Sequence, residues 1–228
     1  MEGSKSPERA TAGAGALLAL ALVTPLAAQR PLQGNMIVSD EFPAASIQVE
    51  DGLVHLGSTE FVLYGVADVE LHLFVEADGM RVKRLLWVQF EGYRDDNDHT
   101  YDYSDDPAVE VAGHTIHVNG RFYPKNGFGG RAGSDGDHAL RLLQDKGYEL
   151  GSDLARVRLV WLLNEPARDE LMFIYLEDLA DLGLSVDALR QDDVRWQELL
   201  RDLQERALDA FEIEDHPSAR GREDIERR

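Results

Sequence analysis

The chain contains no cysteine. That excludes a disulfide framework, a thiolate nucleophile, a cysteine-ligated zinc or iron–sulfur centre, and a lipid anchor carried on cysteine. Lysine is almost as scarce, four residues against nineteen arginines. Basic side chains as a whole are outnumbered, 23 to 43 acidic, for a formal net charge of −20. Neutralising a phosphate backbone takes clustered Lys and Arg, so nucleic acid is excluded as a partner. An anionic membrane surface repels such a chain for the same reason. Neutral or cationic small molecules and basic protein partners stay open. Catalytic motifs are lacking too: there is no G-x-S-x-G, S-x-x-K or H-E-x-x-H. What is present is a chain of 228 residues, 43% hydrophobic, enough to bury a core without covalent staples.

Residues 1–9 are polar, and residues 10–28 carry no charge. The apolar centre is Ala16–Val23, followed by the helix breaker Pro25 and the small residues Ala27 and Ala28. A polar start, a short apolar run and a small-residue end form the layout of a secretory signal peptide. The alternative is a membrane anchor built from residues 10–28, although Pro25 and the glycines make a poor span. Export combined with zero cysteine predicts a periplasmic or secreted bacterial protein.

Residues 29–45 read as an irregular lead-in, 46–213 as a single α+β domain, and 214–228 as a charged flexible tail. Ser46–Glu50 alternates, Asp51-Gly52 reads as a turn, and Leu53–Leu56 as the return strand. Val69, Leu71, Leu73 and Val75 alternate with polar or aromatic residues up to Asp78-Gly79. Val82 to Phe90 alternate beyond it, a hairpin signature. Residues 92–113 read as loop. Asn119-Gly120 reads as a second hairpin turn between 114–118 and 121–123. A helix capped by Asp135 or Asp137 is expected to end at Gly147. Strands follow at 156–163 and 170–177, then a short helix capped by Ser185. The last helix, about 192–211, places Trp196, Leu199, Leu200, Leu203, Ala207, Leu208 and Phe211 on one face. Short turns between strands predict a mostly antiparallel sheet of hairpins packed against this C-terminal helix.

The densest run of chemistry is 91–106, EGYRDDNDHTYDYSDD. Its carboxylates repel one another, and a divalent cation such as Ca²⁺ would relieve that repulsion. Asp96, Asp98, His99 and Asp102 are the candidate metal ligands. Tyr101 stands where an EF-hand needs glycine and Pro107 where it needs the bidentate Glu, so the run is no EF-hand. Residues 127–132 loosely match a dinucleotide fingerprint, but no βαβ unit accompanies them. Two functional readings result. The first is a non-enzymatic ligand- or protein-binding module with Trp87, Phe90 and Trp161 as candidate pocket residues. The second is a metal-assisted hydrolase using Asp96, Asp98, His99 and Asp102.

Overall fold

A computed structural model describes residues 29–40 and 42–216. The leader 1–28 and the tail from 217 onward lie outside the described residues. In chain order the strands and helices are β1 (Leu32–Gln33), β2 (Met36–Ser39), β3 (Ala45–Val49), β4 (Val54–Leu63), β5 (Ala67–Asp78), β6 (Arg81–Tyr93), β7 (Ala108–Val111), β8 (His114–Tyr123), α1 (Asp135–Asp145), β9 (Glu149–Leu150), β10 (Leu154–Leu162), β11 (Asp169–Asp178), α2 (Val186–Arg190), α3 (Asp193–Asp209) and β12 (Phe211–Asp215). Of the described residues, 46% are strand and 19% helix. Eight strands form one sheet in the order β4-β5-β6-β11-β10-β8-β7, with β9 attached to β6, and four form a second in the order β1-β2-β3-β12. The two-residue pairing of β6 with β9 is parallel; the other pairings are antiparallel.

Alternation along the strands fixes which side chains share a face. On one side of the large sheet, Phe74, Leu86, Val88, Phe173 and Tyr175 pack with Ile37, Ile47 and Val49 of the small sheet. Leu199, Leu203 and Ala207 of α3 are buried in that same cluster. On the other side, Leu71, Leu73, Leu85, Trp87, Met172 and Ile174 pack with Ala139 and Leu143 of α1. The central strands are therefore covered on both faces, which is why β11 has an almost unbroken buried pattern. The hairpin expected at Asp78-Gly79 is present, with Asp78 opposite Arg81.

Several expectations are corrected. The lead-in 29–45 is not irregular: it holds β1, β2 and the first residue of β3. Asp51-Gly52 does not join a hairpin, because β3 pairs with β2 and β12 while β4 pairs with β5 in the other sheet. The segment 92–113 contains β7, and its true turn is Ala112-Gly113, both at positive φ (51° and 85°). Asn119-Gly120 is no turn; β8 runs straight through it, and each of these two residues pairs with β10. A β-carbon at Gly120 would collide with Leu200 of α3, so this glycine serves close approach of helix to sheet. Ser134, not an aspartate, caps α1 by accepting the Asp137 N–H, while the Asp137 carboxylate accepts the Gly133 N–H at 2.7 Å. The last helix stops at Asp209, and Phe211–Asp215 forms β12, with Phe211 stacked on Phe173 at 3.7 Å. The expected tail thus begins with ordered strand up to Asp215.

Candidate functional site

Glu91 ends the buried part of β6, and Glu170, the second residue of β11, lies directly opposite it in the register. Cross-strand neighbours on one face hold their Cβ atoms about 5 Å apart. Both carboxyls are buried, at 8% and 1% exposure, and two adjacent charges cannot be held cheaply in that medium. Burial, reinforced by the neighbouring Glu91, pushes the Glu170 carboxyl up to about 8. Glu91 is raised as well, mainly by burial.

Two tyrosines from the acidic loop reach down to this pair. The Tyr101 hydroxyl donates to Glu91 Oε1 at 2.9 Å, and the Tyr103 hydroxyl donates to Glu170 Oε2 at 2.7 Å. Tyr93, Tyr101 and Tyr103 stack in sequence, with centroids 4.3 Å and 6.5 Å apart. Burial and the carboxyls below hold the Tyr101 and Tyr103 hydroxyls protonated. A chain of donors continues beneath, Trp87 to Gln89 at 2.8 Å and Gln89 to Glu91 at 2.6 Å. The acidic loop is thus pinned to the sheet by its aromatic residues, with Asp95, Asp96 and Asp98 left exposed on it.

The same sheet face carries arginines where β8 and β10 run side by side. Arg156 lies opposite Arg121, and Arg158 opposite Asn119. Like charges placed directly across a strand pair destabilise it. Burial and the charges of Arg158 and Arg121 lower the Arg156 pKa from its usual value, while Asp135 at the start of α1 partly offsets them. Arg158 lies 4.9 Å over the Tyr103 ring, and Arg156 lies 5.5 Å over Tyr123. The Nε atoms of Arg156 and Arg158 are buried and have no hydrogen-bond partner among the described residues.

A cavity of about 260 Å³ opens above this surface. Its floor is Asn119, Arg121 and Arg158, and its roof is the loop from Asp102 to Asp106. Floor and roof touch through Asp106, which accepts from Asn119 at 3.1 Å and stands 3.6 Å from Arg158. A second cavity, about 360 Å³, is lined by Phe128, Leu140 and Leu150 with Lys125 and Glu149 at the surface; no buried charge lines it.

The expected ligands of a metal ion are not gathered. Asp96, Asp98, His99 and Asp102 are all exposed. The Asp102 carboxylate accepts the Ser104 N–H at 3.0 Å, and His99 packs beside Tyr93 at 5.5 Å. Among the described residues no group of three or more His, Asp or Glu is placed to hold a metal ion. Trp87 and Phe90 belong to opposite faces of β6 and lie in separate core clusters, while the partly buried Trp161 packs against the Phe90 cluster. Neither cavity is lined by any of these three.

Comparison with family models, with characterised proteins and with solved structures gives no match. The site must therefore be argued from its own chemistry. Reading the sequence missed Glu91, Glu170, Arg156 and Arg158. The available signal was charge at inward positions of otherwise apolar strands: Arg156-Val157-Arg158 alternates with strand period inside a run that ends in Leu159-Val160.

Proposed function

We propose that this protein is a non-enzymatic binding module that takes a small polar molecule into the cavity between the 102–106 loop and the β8–β10 surface. One observation carries the reading. Arginines are crowded on that surface, with buried Nε atoms that no described residue satisfies. Such crowding of positive charge costs stability, and a ligand bearing oxygen atoms would offset it through Arg121 and Arg158, which line the cavity. In this reading α3 is the brace beneath the floor, with Leu200 seated against Gly120.

The hydrolase reading gains no support from side-chain placement. Its four candidate ligands are dispersed, and Glu91 and Glu170 do not line the cavity. Export of the module, with residues 10–28 as leader or anchor, belongs to the same proposal. Among the described residues no helix is long and apolar enough to cross a membrane. N-terminal sequencing of protein recovered from its native host tests the leader: a first residue at or just after position 29 supports cleavage.

The binding reading is tested by a screen of small polar compounds followed by amide chemical shifts. Hits should move signals of residues 102–106, 119–121 and 156–158 together. Hits confined to the second cavity, or no hits at all, would defeat it.

A further inference from the structure

We infer that the ligand of this cavity is a small zwitterion of amino-acid or dipeptide size, its carboxylate held by Arg121 and Arg158 and its ammonium group by Asp102 and Asp105. This rests on the binding reading above and names the ligand class for that site.

The two walls of the cavity come from different parts of the chain and carry opposite signs. The floor presents Arg121 and Arg158, while the roof presents Asp102, Asp105 and Asp106. Arg156 adds a third positive charge on the floor side, in register with Arg121. A cavity whose walls are separated by sign carries a field across it. A lone anion would be attracted by the floor and repelled by three carboxylates. A lone cation meets the reverse. A neutral polyol gains nothing from the field. A molecule with a carboxylate at one end and an ammonium at the other, aligned along the field, gains at both ends.

The walls are also incompletely paired with each other. Arg121 is exposed and makes no ion pair with a described residue. The contact between Arg158 and Asp106 is long, at 3.6 Å. Asn119 donates to the other oxygen of Asp106, at 3.1 Å. The Arg158 side chain is fixed by its position over the Tyr103 ring, so its planar donor edge is oriented before a ligand arrives. A guanidinium in that state suits the two-pronged recognition of a carboxylate. The volume of about 260 Å³ admits an amino acid or dipeptide but no long peptide.

The test is calorimetric titration of the full chain with four matched probes: glutamine, glycylglycine, butyrate and butylamine, with glycerol as the neutral control. At low salt, at least one zwitterion should bind ten-fold or more tightly than butyrate and butylamine. R121M and D105N alter exposed side chains and so keep the fold; each should weaken the zwitterion ten-fold or more. R121M should not weaken butylamine, and D105N should not weaken butyrate, since each removes a charge that repels the probe. If butylamine, butyrate or glycerol binds as well as the zwitterions and moves the amide signals of 102–106 and 156–158, the inference fails while the binding reading stands. If no probe moves those signals, both fail.

Discussion

Replacing Glu170 by glutamine should make the protein more stable at alkaline pH and leave it nearly unchanged at acid pH. In the folded chain the carboxyl is raised to about 8 by burial and by Glu91. In the unfolded chain it titrates near 4.3, as an ordinary glutamate does. Between those values the folded state holds a proton that the unfolded state has released. Stability is therefore highest below the unfolded value and declines as pH rises, with the loss complete above the folded value. The slope is about 1.4 kcal/mol per pH unit within the window. From pH 5 to pH 8 an isolated group would lose about 4 kcal/mol; sharing the proton with Glu91 reduces this to about 3 kcal/mol. Glutamine keeps an oxygen for the Tyr103 hydroxyl, now at 2.7 Å from Glu170 Oε2, and cannot ionise. E170Q should thus gain about 3 kcal/mol over the native chain by pH 8, a rise in Tm of roughly 6–12 °C for a domain of this size. Urea unfolding of both proteins at half-unit intervals from pH 5 to 9 provides the measurement. Parallel stability profiles would refute the reasoning, since they would mean that Glu170 ionises alike in both states. E91Q supplies a second check: removing the neighbouring charge should shrink the alkaline loss of the native chain.

Other outcomes follow from packing and titration elsewhere. G120A should cost about 1–3 kcal/mol in urea unfolding, because the new methyl meets Leu200; adding L200A should recover part of that loss, whereas simple additivity would contradict the contact. His55 is half-buried beside His72, at 5.7 Å, and Phe74, at 4.9 Å, and burial pushes its pKa down to about 4. The unfolded chain takes up its proton first, so stability should fall as pH drops from 6.5 toward 4, by about 1.5 kcal/mol after discounting for partial exposure; H55F should flatten that limb, and an unchanged acid profile would count against it. S134A removes the cap of α1 and should cost about 1 kcal/mol. Hydrogen exchange would then show faster exchange at residues 135–138, and protection equal to that of the native chain would dismiss the cap.

Local patterns in the sequence carried most of the central sheet. The strands β5 and β6 and their turn, the pair β10 and β11, and the ends of α1 and α2 rest on alternation, glycine turns and capping residues. These are near-neighbour effects, and they are visible in a dozen residues at a time. The antiparallel character follows from them, because adjacent strands are linked by short turns. Pairing at long range is a different matter. That β3 leaves β4 for β12, more than 160 positions away in the chain, depends on which apolar faces meet after collapse, and no local pattern records it. The same holds for Gly120, whose neighbour Leu200 lies 80 positions on and turns an apparent turn signal into a close-packing requirement.

The site divides in the same way. The sequence determined that the 91–106 run is acidic and studded with tyrosine. It suggested that the carboxylates would converge, because mutual repulsion on a loop invites a cation. The tertiary structure decided otherwise: Tyr101 and Tyr103 turn inward to Glu91 and Glu170, and Asp96, Asp98 and Asp102 stay exposed, where hydration stabilises each charge. Only strand register could place Glu91 opposite Glu170 and Arg121 opposite Arg156, since the partners come from separate hairpins. Burial and charge act through space at a few ångströms, whereas the sequence orders residues only along the chain; the positions that matter here become neighbours only when the sheet has formed.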